Sequence, residues 1–127
     1  ENMRRENGLH YLDNWGQTTV SCLLNLKDYV DKVEIIASGG VRNPLDIVKS
    51  LVLGAKAVGI SKVILELVVK YEVEKVIEIL ENWKNECRMI MCALNARNIR
   101  ELRNVKYVLY GKTLEFFIQQ KESFLEF

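Results

Sequence analysis

Two short β-prone runs, spaced by one strand–helix unit with a capped helix between them, leave this chain little choice of fold. The first run is VEIIA, residues 33–37, rich in β-branched side chains. It ends in Ser38-Gly39-Gly40, a strong turn signal. Asn43 then stands where it can cap a helix, Pro44 suits the first helical position, and Asp46 adds a negative charge to the first turn. Ile47, Val48, Leu51 and Val52 follow at helical spacing, and Gly54 sits where such a helix stops. The second run, AVGIS at 57–61, starts 24 residues after the first. Strand, helix and strand in that order have one natural solution, parallel strands covered by helices. The expected fold class is therefore α/β.

The remaining apolar patterns read mostly as helices around that unit. Val20, Leu23, Leu24, Leu26 and Val30 predict a short amphipathic helix from Thr18 to about Tyr29. KVILELVVKY, residues 62–71, is apolar nearly all round and predicts a buried short helix. A longer helix from about Val73 to Leu94 carries the stripe Val73, Val76, Ile77, Leu80, Trp83, Cys87, Ile90, Met91 and Leu94. Trp83 in that stripe reads as a packing residue. Residues 98–103 predict another short helix, 105–110 (VKYVLY) a strand-like run, and 111–124 a last helix. Residues 1–14 read as a flexible, solvated loop, and no linker divides residues 1–127 into domains. Two strands do not make a well-covered sheet. Either a parent fold contributes strands that this chain lacks, or association supplies them.

Charge and cysteine usage narrow the function. Eighteen basic and 17 acidic residues leave a net charge of +1, a poor match to a nucleic-acid partner. No apolar run reaches the roughly 18 residues of a membrane span. The three cysteines, Cys22, Cys87 and Cys92, are odd in number and form no CxxC. They read as neither a disulfide framework nor a zinc site, and a reducing cytoplasm is expected. Their apolar neighbours predict three small core residues. The opening ENMRRENG has no hydrophobic stretch and does not read as a signal peptide.

The sharpest local feature is Ser38-Gly39-Gly40-Val41-Arg42-Asn43-Pro44. Consecutive glycines let a backbone approach a ligand closely, with N–H groups exposed. A helix start and the Arg42 guanidinium add positive charge, and the combination suits a phosphate. The same Gly-Gly pair also serves turns that bind nothing. Gly59-Ile60-Ser61-Lys62, at the end of the second run, would lie beside the first turn in a parallel sheet. Barrel enzymes hold phosphate between the loops after their last two strands. Ser61 can donate a hydrogen bond there and Lys62 a charge. Trp15-Gly16-Gln17-Thr18-Thr19 would share this loop face, with Thr18 or Thr19 as a helix cap and Trp15 free to stack on a ligand or close the top. His10 and Asp13 have no partner at a recognisable spacing, and no Ser-His-Asp, HExxH or Walker pattern is present.

NWGQTTV at 14–20, IIASGGVRNPLDIVKSLVLGAKAVGIS at 36–61 and the tail at 80–111 together closely resemble the C-terminal part of the type 2 isopentenyl-diphosphate isomerases. The glycine-rich portion alone is shared with other flavin-binding barrels. WGQTT and the tail select the isomerases over a hydroxy-acid- or dihydroorotate-oxidising relative, and a non-catalytic half-barrel that only binds phosphate or forms assembly contacts stands as a third reading. The resemblance implies the last two strand–helix units and C-terminal helices of a (β/α)8 TIM barrel about three times this length. It implies FMN, reduced by NADPH, together with Mg2+. The implied reaction interconverts isopentenyl diphosphate and dimethylallyl diphosphate with no net redox change, in a homotetramer or octamer. Gly39, Gly40, Val41 and Arg42 match the loop after strand seven that holds the FMN phosphate, and Ser61 and Lys62 the loop after strand eight. The matching catalytic and metal-binding groups lie before Glu1, so the chain by itself is expected to be inactive.

Overall fold

A computed structural model of the chain describes residues 15–123, with side chains as far as Lys121. The expected loop over residues 1–14, with His10 and Asp13, lies outside the described residues. Helix α1 spans Thr19–Asn25 and continues into a 3-10 turn at Lys27–Tyr29. Strand β1 is Ile36–Ser38, helix α2 Pro44–Val52 and strand β2 Ala57–Gly59. Helices α3 (Lys62–Lys70), α4 (Val73–Ala93), α5 (Ile99–Leu102) and α6 (Gly111–Ser123) follow. None of the described helices is long and apolar enough to cross a membrane.

The strands pair in parallel, with Ile36 opposite Ala57, Ala37 opposite Val58 and Ser38 opposite Gly59. Both are shorter than their β-prone runs, because a strand lasts only as long as its ladder. Below Ile36 the pairing ends in one bond from the Lys56 N–H to the Ile35 carbonyl and an ion pair between Lys56 and Glu34. Val33 is left 53% exposed. The strand-like run at 105–110 forms no strand, since no sheet edge pairs with it. Val105 packs on the core, while Val108 and Tyr110 stand in solvent.

Helices cover one face of the sheet. Leu23 of α1 packs with Ile35, Ala37 and Ala55. Val48 and Leu51 of α2 pack with Ala96 and Leu102, joined by Cys87, Ile90 and Met91 of α4. Along α4 the side in contact runs through Val76, Ile79, Trp83, Cys87 and Ile90, and Trp83 is half-buried there. Among the described residues no helix covers the other face of the sheet. Ile36 is 69% exposed, although burying such a side chain is worth about 1.5–3 kcal/mol.

The same shortage of covering layers corrects two expectations. Helix α3 has no buried residue, and Leu65, Val68 and Val69 face solvent. Its all-round apolar surface matches a helix packed on several sides, yet among the described elements α4 is the one it packs on most. The cysteines are not three core residues either. Cys22 and Cys92 lie on the outward sides of their helices, and Cys87 is the one partly buried, its thiol 3.7 Å from the Pro44 carbonyl.

Candidate phosphate-binding site

The pairing of Ser38 with Gly59 sets the two glycine-containing turns side by side at the C-terminal end of the sheet. A Cβ built on Gly59 would lie 3.3 Å from the Ser38 hydroxyl, so the strand ends approach closely. Gly39 and Gly40 have φ of +104° and +72°, the left-handed region that favours glycine. A Cβ on Gly40 would meet nothing within 4 Å. The turn is therefore open on that side of Gly40.

Helix α1 fixes the turn from behind. The Thr19 hydroxyl lies 2.9 Å from the carbonyl oxygens of both Ser38 and Gly39, sharing its proton between them. No peptide bond described is cis, and a trans peptide points its N–H opposite its carbonyl. The N–H groups of Gly39 and Gly40 therefore face away from α1. The cap of α1 is Thr18, whose side chain accepts from the Ser21 N–H at 3.2 Å. Of the two threonines considered as caps, Thr18 takes that place and Thr19 makes this tertiary contact. The available signal was arithmetic: a helix has one N-cap, so the second hydroxyl needed another use.

The two helix starts facing this end differ. At α2, Asn43 accepts from the Asp46 N–H, and the Asp46 carboxylate accepts from the Arg42 N–H, both at 3.0 Å. The chain's own side chains thus satisfy that helix start, leaving the Arg42 guanidinium, on an exposed residue, as its contribution. Val41 is buried at 8% exposure, so its side chain anchors the turn and only its backbone can meet a ligand. At α3, Ser61 is the N-cap but makes no side-chain cap bond, and both Ser61 and Lys62 are exposed. The Ser61 hydroxyl is thus not spent on capping its own helix. Gly39, Gly40, Arg42, Ser61 and Lys62 all follow the C-terminal ends of the two paired strands.

Trp15, 82% exposed, stacks on nothing described, while Gln17 secures α1 by accepting from Asn25 at 2.9 Å. A cavity of about 740 Å3 lined by Gly54, Tyr107 and Phe117 lies toward the opposite end of the sheet, beyond the C-terminus of α2. Its size does not make it the site, since it meets neither glycine turn.

A parallel strand–helix–strand unit with two glycine turns at one end is an α/β arrangement, and the comparisons place it in a family. The chain belongs to the FMN-dependent dehydrogenase family, whose model matches residues 11–108. Within that class it is similar to proteins named isopentenyl-diphosphate delta-isomerase. The one from Streptococcus mutans is 58% identical over 112 residues, covering 88% of this chain and 34% of the relative. The one from Streptococcus gordonii is 56% identical over 115 residues, 91% of this chain and 34% of the relative. The one from Streptococcus pyogenes is 59% identical over 102 residues, 80% of this chain and 31% of the relative. The chain thus spans about a third of the length of the curated relatives it matches.

Proposed function

We propose that this chain is the C-terminal third of an FMN-dependent isopentenyl-diphosphate isomerase, and that its paired turns hold the FMN phosphate. The observation that supports the reading is the junction of Ser38 with Gly59, which sets the two turns side by side at one end of the sheet. The donor set fits a phosphate. The N–H groups of Gly39 and Gly40, the Val41 backbone, the Arg42 guanidinium, the Ser61 hydroxyl and the Lys62 ammonium would hold it. Arg42 and Lys62 neutralise its charge, and the backbone donors orient it.

Reduced FMN, once bound, would supply acid–base chemistry for the proton shift that converts isopentenyl diphosphate into its isomer dimethylallyl diphosphate. This chain's residues would anchor one end of the cofactor. The residues described do not fit a Mg2+ site, since they bring no three His, Cys, Asp or Glu side chains together. The chemistry of metal and substrate is assigned to the preceding part of a (β/α)8 barrel, which would also cover the bare face at Ile36. Reduction by NADPH, assembly as a homotetramer or octamer, and a cytoplasmic setting belong to the same reading.

The family's dehydrogenase description favours one rival, a flavin oxidoreductase built on the same phosphate corner. A chimera separates the two: this chain replaces the matching third of the Streptococcus mutans relative. Isomerisation of isopentenyl diphosphate with reduced FMN and Mg2+ is the expected result. A chimera that folds and binds FMN, yet does not isomerise isopentenyl diphosphate, would overturn the isomerase reading. Turnover by the 127-residue chain alone near the chimera's rate would overturn the assignment of catalysis to the upstream part.

A further inference from the structure

We propose that Thr19 is the positioning residue of the phosphate turn, fixing the direction of two backbone donors that it does not itself carry; this rests on the reading of that turn as the FMN phosphate site. A Gly-Gly pair is the most freely rotating dipeptide a chain can use, and glycine takes either sign of φ with similar ease. Left alone, the peptides on either side of Gly39 would sample orientations in which a carbonyl oxygen, not an N–H, met the anion. The Thr19 hydroxyl removes that freedom by holding the Ser38 and Gly39 carbonyls, both at 2.9 Å.

The strap is itself well held. Thr19 is β-branched and stiff about χ1, and it opens α1. That helix is fixed by the Thr18 cap, the Gln17–Asn25 bond and the burial of Leu23 and Leu24. Gly39 leaves room for the contact, since a Cβ there would lie 3.1 Å from the Thr19 hydroxyl. On the far side the turn is pinned by buried Val41 and by the Asn43–Asp46 cap. With both ends fixed, the Gly39 and Gly40 N–H groups are ordered before a ligand arrives, and binding loses less entropy in ordering them.

The test compares FMN with riboflavin, which lacks the phosphate, by flavin fluorescence titration of the 127-residue chain. Thr19→Val keeps the shape and removes the hydroxyl. It is expected to weaken FMN about tenfold, the worth of one or two hydrogen bonds, and to leave riboflavin unchanged. Thr19→Ser should restore FMN affinity, and the Gly39 and Gly40 amide NMR signals should broaden in Thr19→Val alone. A merely structural role would weaken both flavins together. A folded Thr19→Val with the original preference for FMN over riboflavin would overturn the proposal. Should that variant unfold, Thr19→Ala, which also lacks the hydroxyl, takes its place, and an undiminished FMN preference there overturns it equally. If the original chain binds FMN no better than riboflavin, the phosphate reading itself fails, and this inference fails with it.

Discussion

Gly54 is in contact with Val30 so close that a Cβ added to the glycine would lie 2.5 Å from the valine Cγ1. The φ of Gly54 is +104°, so a side chain there is strained even without the clash. The contact closes the turn that leads from α2 into β2, and so sets the register on which the paired turns depend. Gly54→Ala is expected to destabilise the chain by about 2–4 kcal/mol, combining overpacking with backbone strain. Urea denaturation measures it. In a Val30→Ala background the added cost should shrink to the strain alone; an equal cost in both backgrounds would show that the contact does not matter.

The Asn43 cap ties the start of α2 to the turn before it, through the Asp46 N–H and then the Arg42 N–H. Asn43→Ala should cost about 0.5–2 kcal/mol by the same denaturation measurement. Asn98 and Glu101 repeat the arrangement at α5, where the Glu101 carboxylate accepts from the Arg97 N–H at 2.8 Å. Asn98→Ala should cost a similar amount without affecting a ligand at the glycine turns. Equal loss of FMN affinity in both variants would contradict the local role given to Asn43.

Burial, and secondarily the Glu86 carboxylate, pushes the Cys87 thiol above its ordinary pKa. The unfolded chain therefore releases this proton at a lower pH than the folded one does. Stability is unaffected by Cys87 below the ordinary thiol pKa and falls as pH rises from there toward the raised value. Cys22 and Cys92 are exposed, so a maleimide reagent should modify them well before Cys87. A Cys87→Ala variant should lose part of the alkaline destabilisation; an unchanged pH profile would argue against the desolvation of this thiol.

The strand–helix–strand unit was legible because its signals agree: β-branched runs, Asn43, Pro44 and Asp46 at one helix end, and Gly54 at the other. Strand ends were less so, since pairing rather than propensity stops β1 at Ile36. Helix α3 and residues 105–110 misled for a related reason. Apolar pattern reports what a segment is suited to touch, and here the layer that Val69 and Val108 suit is not part of the described residues. The cysteines misled because apolar neighbours in sequence fall on different sides of a helix. At the site, the turns could be named from glycine and charge. The Thr19 contact, spanning about 20 residues, could not be read from spacing.

Amide NMR of the isotope-labelled chain titrated with FMN tests the central claim most directly. Gly39, Gly40 and Ser61 are expected to shift together along one binding curve, and inorganic phosphate should shift the same three amides. Arg42→Ala should weaken the FMN curve by the roughly 1.5–3 kcal/mol of a charge-assisted bond. Shifts confined to Gly54, Tyr107 and Phe117 around the opposite cavity, or none at any FMN concentration reached, would contradict the account.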